Sequence, residues 1–162
     1  ILSPAFSFAI AALLVAAAVS DFRRFTIPNW IVLSLIVFWL FRLAFSAIAG
    51  AALLPMAFSV LTALAVLAGG AFAFQRGWLG GGDVKLLAAT VLWLPAGRAV
   101  DFLSLVALLG GALAAIAIIA ARLVRPAAAG PDGIRPVAGL RLPYGVAISG
   151  AGLLLMFDLI RF

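Results

Sequence analysis

Long apolar runs separated by short polar or glycine-rich breaks are the main pattern along this chain. Six of the runs are long enough to predict helices rather than strands. They cover about residues 3–21, 28–48, 51–74, 84–97, 100–122 and 143–160. A helix needs roughly 20 mainly apolar residues to cross a bilayer. The pattern therefore predicts an all-α membrane protein with six transmembrane helices, of which the fourth is short for a full span and is expected to be tilted or partly re-entrant.

The breaks between the runs contain residues that interrupt helices. Pro28 suits the first turn of the second helix, and proline disfavours helical geometry in the residue before it, so we expect the chain to leave the helix between Asp21 and Pro28. The glycine-rich segment 75–82 predicts a loop that delivers Asp83 to the start of the fourth helix. The one long loop is predicted at 125–141, where prolines and glycines cluster.

Composition supports the membrane assignment and restricts the chemistry. The chain is 67% hydrophobic and only 10% charged, with a mean hydropathy of +1.33, which is too little polar surface for a water-soluble globule. Its 162 residues hold about six or seven spans at most, so we expect one membrane domain over residues 1–162. Cysteine and histidine are absent. We therefore expect no metal and no cofactor, and acid–base chemistry must come from carboxylates, tyrosine, lysine or arginine.

The net charge of +6 is spread over short loops and forms no continuous basic face, which argues against a nucleic-acid partner. If the six helices alternate in direction, the odd-numbered loops carry most of the basic residues. Those loops contain Arg23, Arg24, Arg76, Lys85, Arg122, Arg125, Arg135 and Arg141. The opposite side has only Arg98 and Arg161. The positive-inside rule then predicts that the odd loops are cytoplasmic and that both termini lie outside.

The first candidate site surrounds Asp21, one of five acidic residues, all of them aspartates. Asp21 leaves the first helix, and Pro28 and Asn29 begin the second. Ionisable groups at membrane depth are costly and often mark a functional site. A juxtamembrane loop whose arginines lie at the lipid headgroups would give the same pattern, so this segment alone leaves both interpretations open.

The second candidate site is Asp83, which follows Gly80, Gly81 and Gly82 directly. Glycine has no side chain, so three glycines in a row allow another backbone to approach the carboxylate closely. An N-capping aspartate after a flexible turn has a similar sequence, and this structural role is the alternative.

Taken together, the two aspartates predict a shared catalytic site. Two complete spans separate Asp21 from Asp83, so both lie on the same side of the membrane. In a carboxylate pair, one group acts as general base on a water while the other, protonated, donates to the scissile carbonyl oxygen. Such a pair hydrolyses amides without a metal. From helix polarity we expect Asp83, near a helix N-terminus, to favour its charged form and Asp21, near a C-terminus, its protonated form.

Three segments of the chain resemble the prepilin peptidases, the type IV leader peptidases of the aspartic class. They are Asp-x-x-x-x-x-Ile-Pro-Asn at 21–29, Gly-x-Gly-Asp at 80–83 and Leu-Pro-Tyr-Gly-Val-Ala-Ile at 142–148, within a resemblance that covers about residues 5–155. The resemblance implies an aspartic endopeptidase of the bacterial inner membrane with Asp21 and Asp83 as its catalytic residues. Its expected partners are membrane lipids and type IV prepilins, whose short basic leader it removes at the cytoplasmic face.

The chain is most similar to a short form of that family. Larger members carry a cytoplasmic domain with paired cysteines and methylate the new amino terminus with S-adenosylmethionine. This chain has neither the cysteines nor the length, so it resembles the enzymes of Flp-type pili in tight-adherence systems. The resemblance leaves N-methylation and the oligomeric state open.

Two further residues have two interpretations each. Lys85 could pair with an acidic residue of the pilin or face lipid headgroups. Tyr144, at the start of the sixth helix, could form a hydrogen bond near the dyad or anchor the helix at the membrane interface.

Two other functions share some of these features. A protease similar to signal peptide peptidase would cut within a membrane helix, but such enzymes have a Tyr-Asp pair and a late Pro-Ala-Leu motif. Here Ser20 precedes Asp21, and Pro-Ala-Leu does not occur. A small proton-coupled transporter could also use a carboxylate pair, although transporters tend to place such groups near the midplane rather than at helix ends.

Overall fold

Six α-helices make up the fold in the computed structural model, which describes residues 4–124 and 142–161, with side chains over 6–120 and 142–157. The helices are α1 (Pro4–Arg24), α2 (Asn29–Ile48), α3 (Leu54–Gln75), α4 (Gly81–Val91), α5 (Ala99–Val124) and α6 (Tyr144–Arg161). A single 3₁₀ turn, Ala96–Arg98, precedes α5. The prediction of an all-α chain with six helices is confirmed over these residues, whereas the predicted loop at 125–141 lies outside them.

Four of the helices, α1, α2, α3 and α5, are long and apolar enough to cross a membrane. The described part of α6 is apolar but shorter. With 11 residues, α4 is about 16 Å long, roughly half of the 30 Å hydrocarbon layer. It ends before the predicted residue 97 because Pro95 disfavours helical geometry in the residue before it. Four helices of spanning length are therefore established, and six full spans remain a prediction.

The short helix α4 lies at the centre of the bundle and contacts α2, α3 and α6. All residues from Leu86 to Val91 are buried, as expected for a helix that is apolar on every side and enclosed by others. Close packing against α3 requires Gly70, where an added Cβ would lie 2.7 Å from Val84 Cγ1. Around this centre, α1 packs on α2 and α6, and α5 packs on α6.

The first helix ends later than predicted. It continues through Arg24, and the backbone N–H of Phe25 donates to the Asp21 carbonyl at 2.8 Å. Phe25 has φ 52°, a left-handed conformation that is uncommon for a bulky residue and that closes the helix. The hydroxyl of Ser20 then donates to the Thr26 carbonyl at 2.9 Å, across the turn. Asp21 consequently lies in the last turn of α1 and not beyond it.

Candidate active site

Both predicted catalytic aspartates line one open cavity of about 580 Å³ at one end of the bundle. Three segments form its wall: the end of α1 with the loop that follows, the glycine-rich loop before α4, and the start of α6. The lining residues are Asp21, Phe25, Thr26, Ile27, Gly77, Trp78, Leu79, Gly80, Gly81, Gly82, Asp83, Leu142 and Tyr144. The fold therefore brings together all three segments that the sequence motifs had singled out.

Asp21 is held by the first turn of α6. Its side chain is only 5% exposed, and its Oδ2 accepts a hydrogen bond of 2.6 Å from the backbone N–H of Gly145. The N–H of Val146 donates to the Pro143 carbonyl at 3.1 Å and also lies near this carboxylate. The first N–H groups of a helix have no partner within that helix, so Asp21 satisfies the Gly145 donor, which would otherwise be unpaired. It therefore joins α1 to α6 in addition to facing the cavity.

Gly145 has no room for a side chain. An added Cβ would lie 2.8 Å from Asp21 Oδ2 and 2.9 Å from both Cβ and Cγ of that aspartate. Sequence reasoning placed Gly145 within a motif but gave it no role. The only signal was its position beside Tyr144, because nothing local to a glycine shows that it contacts a carboxylate 124 residues away.

Asp83 lies in the first turn of α4, as its third residue, and not at the N-cap position that the structural alternative assigned to it. Gly80 is the N-cap residue, in extended conformation, and its backbone N–H donates to the Asp83 carboxylate. An acidic residue that reaches back to the N-cap N–H forms half of a capping box. Asp83 therefore stabilises the start of its own helix while its side chain borders the cavity.

The pKa of Asp83 is shifted against the direction expected from helix polarity. Burial and, second, the nearby charge of Asp21 raise the pKa of Asp83 to about 6, although the Gly80 N–H lowers it. A helix N-terminus favours a carboxylate by only about 0.3–1 kcal/mol at exposed positions, whereas desolvation shifts the pKa of buried groups by several units. The expected lowering of the Asp83 pKa by the helix N-terminus is therefore wrong.

In the described part of the chain, no hydrogen bond joins the two carboxyl groups, although their charges interact. An open cavity between them can admit a water or a substrate carbonyl. In the part of the chain that the structure describes, no three potential metal ligands cluster together. The cavity therefore suits a reaction in which the two carboxyl groups act together on a bound water or substrate carbonyl.

Lys85, Pro28 and Asn29 lie beside the cavity and not in its lining. The ammonium group of Lys85 donates to Asn29 Oδ1 at 3.2 Å, an exposed contact that joins the start of α4 to the start of α2. Pro28 is the N-cap residue of α2 and directly precedes its first turn. The sequence predicted a pilin residue or lipid headgroups as the partners of Lys85, and it did not predict this contact with Asn29.

Tyr144 borders the cavity and also packs on α5. A Cβ added at Gly110 would lie 3.0 Å from its ring, so α5 approaches the ring closely. Two aromatic residues of the lining, Phe25 and Trp78, are 45% and 66% exposed. Sequence reasoning missed both; the presence of a tryptophan within a glycine-rich loop was the available signal for Trp78.

The fold and the cavity together define a helical membrane protein with a two-carboxylate site. The sequence profile of the Type IV leader peptidase family matches residues 8–119, more than half of the chain. The chain belongs to this family of peptidases, which confirms the resemblance seen in the motifs. The matched region contains Asp21 and Asp83 and ends before α6. Comparisons with curated proteins and with solved structures found no match.

Proposed function

We propose that this protein is a membrane-embedded aspartic endopeptidase that removes the leader peptide of type IV prepilins. The observation that carries the proposal is the convergence of Asp21 and Asp83 on one open cavity in a chain of the leader peptidase family. The cavity volume of about 580 Å³ falls within the range of ligand sites. The two residues would act as the catalytic pair.

Hydrolysis by such a pair needs one charged and one protonated carboxyl group. The charged group takes a proton from a water whose oxygen attacks the scissile carbonyl carbon, and the protonated group donates to the carbonyl oxygen. When the C–N bond breaks, the first group returns its proton to the departing nitrogen, and the second recovers a proton from the tetrahedral intermediate. The pKa of Asp83 near 6 supports a proton being available close to neutral pH.

An extended leader segment would bind along the glycine-rich loop 77–82. Gly80 and Gly81 border the cavity without side chains that would obstruct a neighbouring backbone. The exposed rings of Phe25 and Trp78 would cover apolar parts of the substrate next to the scissile bond. Gly82 is packed against the α1–α2 loop, since an added Cβ would lie 3.4 Å from Ile27 Cβ, and it supports the loop rather than the substrate.

The membrane orientation belongs to the same proposal. We infer that the cavity faces the cytoplasm of the bacterial inner membrane, because the basic loops flank this end of the bundle in the sequence. Reporter fusions after Arg24 and within 76–80 would then give a cytoplasmic signal, and fusions near Gly50 and Gly97 an external one. The reverse pattern would contradict the orientation but not the peptidase activity.

The substrate class can be tested with purified protein. We infer a Flp-type prepilin as substrate, since the motifs around Asp21 and Asp83 resemble those of the enzymes of tight-adherence pili. The protein in detergent would be incubated with such a prepilin, with Asp21→Asn as the inactive control, and the products weighed by mass spectrometry. We expect cleavage after the glycine that precedes the pilin's hydrophobic helix. Cleavage inside that helix would indicate the signal-peptide-peptidase type, and an intact prepilin would overturn the proposal.

A further inference from the structure

The two aspartates of the cavity have different backbone partners. Asp21 accepts a hydrogen bond from the first turn of α6, a helix that is distant in sequence, with the Gly145 N–H at 2.6 Å from Oδ2. Asp83 receives one N–H, from Gly80 at the cap of its own helix. Hydrogen bonds from N–H groups stabilise the charged form of a carboxyl group, and the N-terminus of a helix carries partial positive charge.

No side chain supplies the charge compensation that α6 gives to Asp21. The other titratable groups of the cavity are Asp83 on α4 and Tyr144 on α6. Arg23 and Arg24 on α1 are exposed, and Lys85 on α4 is hydrogen-bonded to Asn29. Charged residues of α2 and α5 with described side chains line other parts of the bundle. Within the described side chains, no salt bridge involves Asp21, and the peptide N–H of Gly145 donates a hydrogen bond to its carboxylate.

On the basis of the proposed peptidase function, we propose that the first turn of α6 positions Asp21 in its ionised form through Gly145, which makes Asp21 the general base and Asp83 the general acid. Asp21 would take the proton of the attacking water, whose oxygen bonds to the carbonyl carbon, and Asp83 would give its proton to the carbonyl oxygen. In the second half of the reaction Asp21 would protonate the amine as the C–N bond breaks, and Asp83 would regain a proton from the gem-diol. The sum is one water consumed, and both groups return to their starting state.

This order of roles is the reverse of the one expected from helix polarity alone. The nearby charge of Asp21 raises the pKa of Asp83, which supports this order because the group that begins protonated must hold its proton near the working pH. Gly145 would then be a positioning residue: its missing side chain allows its own N–H to reach the base.

The kinetic test is Gly145→Ala, with Gly150→Ala as the matched control on the same helix. The new Cβ at 145 would lie within 3 Å of Asp21, whereas a Cβ at 150 makes an ordinary contact of 3.5 Å with Leu109. We expect kcat to fall about 10²-fold for Gly145→Ala, with KM within about twofold of the parent, because a displaced catalytic group affects the reacting geometry more than substrate binding. Gly150→Ala should keep the parent values.

The pH dependence of kcat distinguishes the two roles. Loss of the α6 contact should move the acidic limb of the profile to higher pH by about one unit in Gly145→Ala and leave the alkaline limb in place. In Gly80→Ala, where the new Cβ would lie 2.8 Å from Asp83 Oδ2, the alkaline limb should move instead. An unchanged acidic limb in Gly145→Ala, or shifts of the opposite limbs in the two variants, would overturn the assignment.

A measurement of thermal unfolding tests the positioning contact without any substrate. The three atoms nearest to a Cβ at 145 all belong to the Asp21 side chain, and Asp21→Gly removes these three. We therefore expect Gly145→Ala to lower Tm in the parent and to lower it by less than half as much in the Asp21→Gly background. Equal losses in both backgrounds would refute the contact. A failure of the parent to cleave prepilin would refute the peptidase proposal. The unfolding measurements would still show whether Gly145 contacts Asp21.

Discussion

The two ends of the bundle each contain a cavity, and the larger one is not the candidate active site. The cavity at the far end measures about 890 Å³ and lies near Trp93, beyond the C-terminal end of α4. It exists because a helix of 11 residues fills only about half of the bundle's length. Its walls are mainly apolar, and Arg42 is a charged residue within its lining. The site cavity is smaller but holds two carboxyl groups. Convergent titratable groups, rather than volume, are therefore the basis for choosing the candidate site.

The far cavity has a structural explanation that needs no ligand. Trp93 is buried, its Nε1 donates to the Leu35 carbonyl at 3.2 Å, and the Arg42 guanidinium lies 5.9 Å from its ring centroid. These contacts tie α2 to the segment that follows α4. The difference between the two ends predicts that substitutions at the site end remove activity while those at the far end change stability.

The largest expected effect is the loss of cleavage in Asp21→Asn and Asp83→Asn. Each single variant should be inactive at normal expression, and the double variant should be no worse, because both groups act in one chemical step. Initial rates of prepilin cleavage would be the measurement. A variant that retained a rate within about tenfold of the parent, or about 1.4 kcal/mol of barrier, would show that its aspartate is not catalytic.

The next effect concerns pH and follows from the raised pKa of Asp83. Since this pKa is about 6 in the folded state and about 3.9 in an unfolded chain, the folded state binds more protons between these values, and stability falls as pH rises through this window. Asp83→Asn carries no such charge. We expect its Tm in detergent to match the parent's near pH 4 and to exceed it near pH 8. A variant less stable than the parent at both pH values would contradict the burial of this charge.

At the far end, Trp93→Phe should reduce stability without reducing cleavage. It removes the hydrogen bond to the Leu35 carbonyl and part of a buried ring, for an expected loss of about 1–3 kcal/mol in the free energy of unfolding. Denaturation in detergent and cleavage rates would be compared at a temperature well below both transitions. If Trp93→Phe reduced the cleavage rate tenfold at that temperature, the far cavity would contribute to catalysis, and the proposed difference between the two ends would be wrong.

Arg42→Gln gives the smallest effect. The substitution removes the cation near Trp93, a contact worth about 0.5–2 kcal/mol, and leaves an uncharged group in the apolar cavity, which offsets part of the loss. We expect a Tm within a few degrees of the parent and an unchanged cleavage rate. A large loss of activity in Arg42→Gln would show that the far cavity takes part in catalysis, which would contradict the assignment of the site to the cavity with the two aspartates.

The six helices and the two aspartates that line the candidate site could be predicted because both have local signals. Apolar runs mark the helices, and the glycines before Asp83 mark the loop. The exact end of α1 could not be predicted, since Phe25 adopts a conformation for which its side chain gives no indication. The direction of the pKa shift at Asp83 was predicted wrongly, because burial and the neighbouring Asp21 are tertiary effects. The role of Gly145 depends on a contact between the first and last helices, which no segment of sequence shows by itself.

That contact between α1 and α6 also sets a point in biosynthesis at which the site becomes complete. The sixth helix leaves the ribosome after the other five, and a nascent chain that has inserted α1–α5 already contains both aspartates. It does not contain Gly145, whose N–H donates to Asp21. Asp21 therefore lacks this hydrogen bond while the chain is still being translated. The candidate site would therefore be complete only after the final helix inserts, so that the peptidase would become active only after its synthesis ends.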